Sequence, residues 1–359
     1  MSINLAVGYP AIDALSALNH THVAPLARRD FSVPGPFAGL PELRAAIVER
    51  QRKQHGLHWS ADELIVTNGA TEALHLLFRT LLRRDEEVLL PLPSWNFFRQ
   101  NLDLDGIAYR TLTTRAETHF QPTARAIEAA LTPRTRLLVL TNPGNPGGGV
   151  LRKTALEEIA AVVARHPELL VLADEVYELQ AFGAPFVPFA SLPGMAGRTI
   201  TVHGFSKSYG LTAWRVGWLH APAAHYDELL FRHQLLSYGV PPAGQYVAAA
   251  ALRQEAAYRA LWEAHIPGNQ AYLADALAAL PGISARVPPG AYFVLADIRE
   301  SLQRRGQTSR EWVEELAERQ ALQLRDASGE GAEGWLRINA AQERATLETA
   351  VDRLGHFLS

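Results

Sequence analysis

Cysteine is absent from the 359-residue sequence, which excludes disulfides, thiolate metal ligands and a cysteine nucleophile. No apolar run is long enough to span a bilayer. The opening MSINLAVGYPAIDAL lacks the basic stretch and long apolar core of a secretory signal. An excess of either charge is also missing. The formal net charge of −3 gives no basic surface for nucleic acid or anionic lipid. His20 and His22 have no carboxylate or further histidine beside them, so they read as loop residues and no metal site is expected. Asn19-His20-Thr21 fits a glycosylation sequon, which without secretion has no consequence. These absences leave a cytoplasmic soluble enzyme acting on small molecules as the expectation.

Apolar content of 48% with 20% charge fits a globular protein, and the length suits two domains better than one. Residues 1–39 are rich in Pro, Gly and Ala and read as an arm with short elements. Pro41 and Gly56 bracket a helix as its first position and its stop. Strands are expected at Leu64–Thr67, Val88–Pro91, Ile107–Leu112, Leu137–Thr141 and Leu169–Ala173, and at the β-like run Arg198–His203. Helices are expected between them, near Ala124–Leu131 and over Lys153–Arg165, and then at Ala223–Leu236. An Ala-rich helix follows Pro241-Pro242, with a bend or break at Pro267-Gly268. Beyond it, Ala291–Ile298 and Trp335–Asn339 read as strands, and Ser309–Gln320 and Leu347–Leu358 as helices.

Candidate chemistry gathers where these elements end. Lys207 sits in a turn after a β-like run, where desolvation turns an amine into a Schiff-base nucleophile. Arg215, eight residues on, has the planar fork that pairs two phosphate oxygens. Asn68-Gly69-Ala70-Thr71 opens a helix whose free N–H groups and dipole suit an anion, although an ordinary cap would look the same. Trp95 lies just past a strand and is either core or a face for a flat ring, while Phe97 and Phe98 read as core. Asn142-Pro143-Gly144-Asn145-Pro146 is a turn-rich loop after a strand. Asp174 closes a strand, the position that faces the ligand crevice of an open α/β sheet. Glu175 and Glu178 read as solvent-facing or structural. Arg337 is a lone charge within an apolar strand, costly there unless paired.

The segment SKSYGLTAWRVG, Ser206 to Gly217, resembles the lysine segment of fold-type I pyridoxal-phosphate enzymes, in particular the class I/II aminotransferases. The phosphate turn, the P-x-W tryptophan, the N-P-x-N-P loop, the strand-end aspartate and the R-I-N arginine resemble that family too, in the same order. The resemblance implies a large α/β domain with a mostly parallel seven-stranded sheet flanked by helices, plus a smaller α+β domain. It divides the chain into an arm at 1–39 that also forms part of the small domain, a large cofactor-binding domain at 40–265 and a small C-terminal domain at 266–359. It implies pyridoxal 5′-phosphate held by Lys207 as a Schiff base. Ala70, Thr71, Ser206 and Arg215 would bind the phosphate, and Trp95 would stack on the ring. Asp174 would pair with the ring nitrogen, and Tyr177 and Asn145 would bond the ring oxygen. Gly8, Asn145 and Arg337 would take the substrate carboxylate. A homodimer is also implied.

The chain departs from the family pattern at several positions. Pro34 stands where a tyrosine reaches into the partner's site, with Phe31 and Phe37 nearby. Gly147 replaces a threonine, removing a hydroxyl and giving the loop more freedom. Gly204 stands where some members place a serine. Leu235 occupies the position of the second arginine of aspartate-specific members, with Arg232 one turn earlier. These features favour transfer of an α-amino group from a neutral, aromatic or unusual amino acid, rather than aspartate, to a 2-oxo acid. A decarboxylase, β-lyase or cyclase would use the same core residues. Gly204-Phe205-Ser206-Lys207-Ser208 also looks like a hydrolase nucleophile elbow with Ser206 as nucleophile, but its fifth position is not glycine. A ligand-sensing regulator would add a basic DNA-binding domain.

Overall fold

The computed structural model describes residues 2–12, 14, 18, 32–183 and 185–359. The sequon Asn19-His20-Thr21, His22 and Phe31 lie outside the described residues. The strands in chain order are β1 (Ile3–Asn4), β2 (Leu64–Thr67), β3 (Glu87–Leu92), β4 (Ala108–Thr113), β5 (Thr135–Thr141), β6 (Leu170–Asp174) and β7 (Thr199–Gly204). They continue with β8 (Gly217–His220), β9 (Ser284–Ala285), β10 (Phe293–Asp297), β11 (Leu322–Gln323), β12 (Arg325–Asp326) and β13 (Trp335–Asn339).

Seven of them form one sheet in the order β2-β8-β7-β6-β5-β3-β4. Strands β2, β3, β5 and β6 are rich in Val, Ile and Leu and mostly buried, leaving no solvent side for polar alternation. β8 alone runs against its neighbours, pairing antiparallel with both β2 and β7. The carboxyl ends of β2, β3, β5, β6 and β7 therefore lie along one edge, where β8 begins. This is the edge at which open α/β sheets bind ligands.

A second, antiparallel sheet has the order β12-β13-β10-β9. It packs a core of its own, in which Trp312, Leu316, Val294, Leu336 and Phe357 are buried. β1 pairs with β11, tying the amino-terminal arm to this smaller unit.

Element positions follow the sequence pattern, with informative exceptions. Pro41 stands at the first helical position and Gly56 ends that helix in the left-handed region. Pro267, expected to bend or break its helix, lies inside a continuous one from Glu255 to Ala278. The break falls earlier, at Gln254, between the helices Pro242–Arg253 and Glu255–Ala278. Buried Tyr258, Trp262, Ile266, Leu273 and Leu277 hold the helix through the proline, so packing outweighs local propensity. Gly147 is packed rather than free. A Cβ there would lie 2.6 Å from the His119 carbonyl, which leaves no room for a threonine. Glu175 and Glu178 are both buried, so neither faces solvent. Among the described residues no helix is long and apolar enough to cross a membrane.

Candidate active site

All eleven residues singled out in the sequence line one cavity of ≈ 590 Å³ between the large sheet's carboxyl edge and the small sheet. They arrive from several different strands. Ala70 and Thr71 follow β2, Trp95 follows β3 and Asn145 follows β5. Asp174 closes β6, Ser206 and Lys207 follow β7, Arg215 precedes β8, and Arg337 comes across from β13.

One end of the cavity is built for an anion. Gly69, at φ +78°, starts the Ala70–Leu81 helix with no side-chain cap, so its first N–H groups face the opening. Arg215 lies against this glycine: a Cβ at Gly69 would meet its Nη2 at 2.5 Å. Arg215 holds a left-handed backbone at φ 53°, unusual for a residue other than glycine. Its Nη1 donates to Ser206 Oγ at 3.4 Å and its Nη2 to the Asn68 carbonyl at 3.3 Å. The partner of Ser206 Oγ is thus a guanidinium and not an imidazole base, which removes the hydrolase reading.

In the middle of the cavity lie Lys207 and Asp174. The Lys207 backbone is fixed by Gln180 Nε2, which donates to its carbonyl at 3.1 Å, and by neighbouring Ser208, whose Oγ donates to the Val176 carbonyl at 2.9 Å. Its amine donates to the Gly8 carbonyl. Burial, helped by the charges of Arg337 and Arg215 and opposed by Asp174, lowers its pKa to about 8. Desolvation raises Asp174 to about 7, against a 3.4 Å bond from the Val176 N–H and the charge of Lys207. A carboxylate this buried and this sparsely bonded suits a cationic partner within the cavity. Burial pushes the Tyr177 phenol up, so it stays protonated and able to donate. Trp95 stacks on Phe97 with ring centroids 4.6 Å apart. Phe98 is core as expected, whereas Phe97 is half-buried and backs the tryptophan.

The far end holds Arg337. Its Nη1 donates to Asn145 Oδ1 at 3.1 Å and to Glu330 Oε1 at 3.1 Å, and its Nη2 to the Ala6 carbonyl at 3.0 Å. Gly8 lies between Arg337 and Lys207: a Cβ there would sit 3.7 Å from Arg337 Nη2 and 3.9 Å from Lys207 Nζ. Any side chain at position 8 would enter the space between them. Gly204 adjoins the anion end, with Ala70 N 3.7 Å from the place a Cβ would take. Pro34 is exposed and does not line the cavity. Leu235 is 70% exposed, and Arg232 pairs with Glu228 on the same helix at 2.9 Å.

Three residues escaped the sequence reading. Glu330 is fully buried against Arg337, and Arg325 reaches the same carboxylate at 3.6 Å. Tyr292 donates to the Gly8 carbonyl at 3.1 Å and packs edge-on against Tyr177. Glu330 stands in a Ser-Gly-Glu-Gly turn that looked like a loop, and the lone charge of Arg337 was the one signal that a buried acid had to exist.

The chemistry of this donor set fits a planar aromatic aldehyde carrying a phosphate. Helix N–H groups and a guanidinium meet a dianion, an indole meets a flat ring, a buried carboxylate meets a protonated ring nitrogen, and a low-pKa amine meets the aldehyde. Among the described residues no group of His, Asp and Glu is placed to hold a metal.

Comparison with known proteins agrees with this chemistry. The family described as Aminotransferase class I and II matches residues 1–354. The chain is 32% identical to an aspartate aminotransferase from Pyrococcus abyssi, covering 99% of this chain and 91% of that protein. It is 31% identical to aromatic-amino-acid aminotransferase 2 from Thermococcus litoralis, with the same coverage. The crystal structure of an aromatic aminotransferase from Pyrococcus horikoshii OT3 superposes with a TM-score of 0.92 at 31% identity, covering 99% and 95% of the two chains. The chain belongs to the class I and II aminotransferases, enzymes that use pyridoxal 5′-phosphate.

Proposed function

We propose that this aminotransferase moves the α-amino group of a neutral, aromatic or unusual amino acid, rather than aspartate, to a 2-oxo acid. The observation that carries the reading is Lys207. Its amine is buried in the cavity with its pKa lowered to about 8, within reach of both Asp174 and the carboxylate-binding end.

In this reading Ala70, Thr71, Ser206 and Arg215 hold the cofactor phosphate, and Trp95 covers the ring. Asp174 keeps the ring nitrogen protonated, and Tyr177 and Asn145 donate to the ring oxygen. Bound pyridoxal phosphate supplies the electron sink that acidifies the substrate's α-carbon. Arg337 pairs with the substrate carboxylate, assisted by Asn145, and the space left by Gly8 admits it. This fixes the α-C–H bond near Lys207. As a neutral amine, Lys207 takes the α-proton as general base and returns a proton as general acid.

The absence of a second arginine at Leu235, where aspartate-specific members carry one, supports a donor other than aspartate. The arm and the carboxyl-terminal unit are read as folding over the large domain at 40–265. A homodimer is supported by the exposed apolar group Phe231, Leu235, Leu236 and Tyr238, which are 53–70% accessible on or beside one helix. A cytoplasmic location is part of the same reading.

The test is a visible spectrum of the purified holoprotein before and after each of a panel of amino acids. Loss of the cofactor's long-wavelength band, with release of the matching 2-oxo acid by a leucine- or phenylalanine-type donor, is expected. Carbon dioxide or ammonia as product in its place would overturn transamination and favour a decarboxylase or lyase.

A further inference from the structure

Arg325 and Arg337 are directly opposed partners in the antiparallel pair β12–β13. Opposed residues project from the same face of a sheet, and like charges there repel. Both guanidinium groups converge on one carboxylate. Glu330 Oε1 lies 3.1 Å from Arg337 Nη1 and 3.6 Å from Arg325 Nε. Glu330 is fully buried, and all three residues line the catalytic cavity. Arg337 has further acceptors in Asn145 and Ala6, whereas among the described residues Arg325 forms its ion pair with Glu330. The Nε atoms of both arginines and Oε2 of Glu330 are buried without a hydrogen-bond partner among the described residues. The cluster is therefore neither saturated nor charge-balanced: two cations face one anion.

We infer that Glu330 is a specificity-determining residue, a resident carboxylate shared between Arg337 and Arg325 that leaves the cluster with charge for one substrate carboxylate. This rests on the reading that Arg337 binds the substrate's α-carboxylate, and it deepens that reading by assigning the exclusion of acidic side chains to a particular group. A monocarboxylate at Arg337 brings the three-residue cluster to neutrality. A second carboxylate on the same ligand could reach Arg325 only by meeting Glu330, and like charges brought together in a buried site discriminate strongly against the wrong partner. Arg325 acts as a positioning residue. It draws on Glu330 so that Glu330 does not by itself neutralise Arg337.

The experiment measures equilibrium binding of two non-reacting carboxylates, 3-phenylpropionate and succinate, to the holoenzyme by calorimetry. It is repeated with phenylalanine and aspartate as donors through kcat/KM. Wild-type protein is expected to prefer the monocarboxylate in both assays. Glu330→Gln gives the cluster a second uncompensated positive charge and should shift both ratios toward the dicarboxylate by roughly tenfold or more. The double variant Arg325→Gln/Glu330→Gln restores a single positive charge and should recover the wild-type preference. A purely structural role would instead weaken both ligands together and would not be rescued by the second substitution.

Ratios unchanged in Glu330→Gln, or a wild-type protein that prefers succinate, would overturn the inference while leaving transamination intact. The expected binding ratios in a protein that converts no amino donor would overturn transamination while leaving the role of Glu330 intact.

Discussion

Two buried clusters of charge in this molecule differ in how completely they are bonded. The first surrounds Glu178. Arg50 donates to both of its oxygens at 2.7 and 2.9 Å, and His55 and His203 add bonds at 2.6 and 2.8 Å. The third guanidinium nitrogen of Arg50 reaches Glu255, which also accepts from Gln54 and Tyr209. Burial works against the Glu178 charge, but Arg50 and the two imidazoles outweigh it and hold its carboxyl well below the usual range. The second cluster surrounds the cavity. There Asp174 has one long backbone bond, and Arg325, Arg337 and Glu330 keep unpartnered buried atoms. Both lie in the interior, so burial does not separate them. Saturation does. A network whose every valence is met locks elements together, while one left short of partners has room for a ligand to complete it.

This contrast is broken most severely at Lys207. Lys207→Ala should cut turnover by roughly 10⁴-fold or more, since it removes the group that handles the proton. Its far-ultraviolet circular dichroism and unfolding midpoint should stay near those of the parent, because among the described residues the amine's one hydrogen bond is to the Gly8 carbonyl. Retained turnover, or a collapsed fold, would place Lys207 in the wrong cluster. The opposite signature belongs to Glu178. Glu178→Gln leaves Arg50 with a buried, half-compensated charge and should cost about 3–5 kcal/mol of unfolding free energy in urea titrations. The kcat of the folded fraction should remain close to the parent's, since Glu178 does not line the cavity.

The sequence revealed one cluster far better than the other, for a physical reason. Lys207, Asp174 and Asn145 stand at or just beyond the ends of apolar strands, and a parallel sheet must bring its carboxyl ends to one edge. Their convergence could be read from order alone. Arg337 was legible as a charge that an apolar strand cannot tolerate unpaired. Its partner was not, because Glu330 is buried by tertiary packing over a two-residue strand and a short turn, with no periodicity to register it. The Glu178 cluster was invisible for the same reason. Its members come from residues 50, 55, 178, 203 and 255, on elements brought together only by the fold. In the fold itself, the antiparallel insertion of β8 between β2 and β7 was not legible. Strand direction within a sheet follows from the connections and leaves no mark on the strand's own residues.

The smallest expected effect tests the cavity cluster through pH. In the cofactor-free protein the Lys207 pKa is lowered to about 8, chiefly by burial and further by the Arg337 and Arg215 charges, so the reactive neutral amine accumulates as pH rises through that value. The rate of pyridoxal phosphate uptake, followed by the appearance of its long-wavelength band, should rise roughly tenfold between about pH 7 and about pH 9 and then level off, as a single group of pKa about 8 dictates. Asp174 titrates just below, at about 7, and its ionised form holds up the Lys207 pKa. Asp174→Asn should therefore move the midpoint of the uptake curve downward. A midpoint near the ordinary lysine value of 10.5 would mean that the amine is not desolvated. The cavity would then be as well compensated as the Glu178 network, and the distinction between the two clusters would fail.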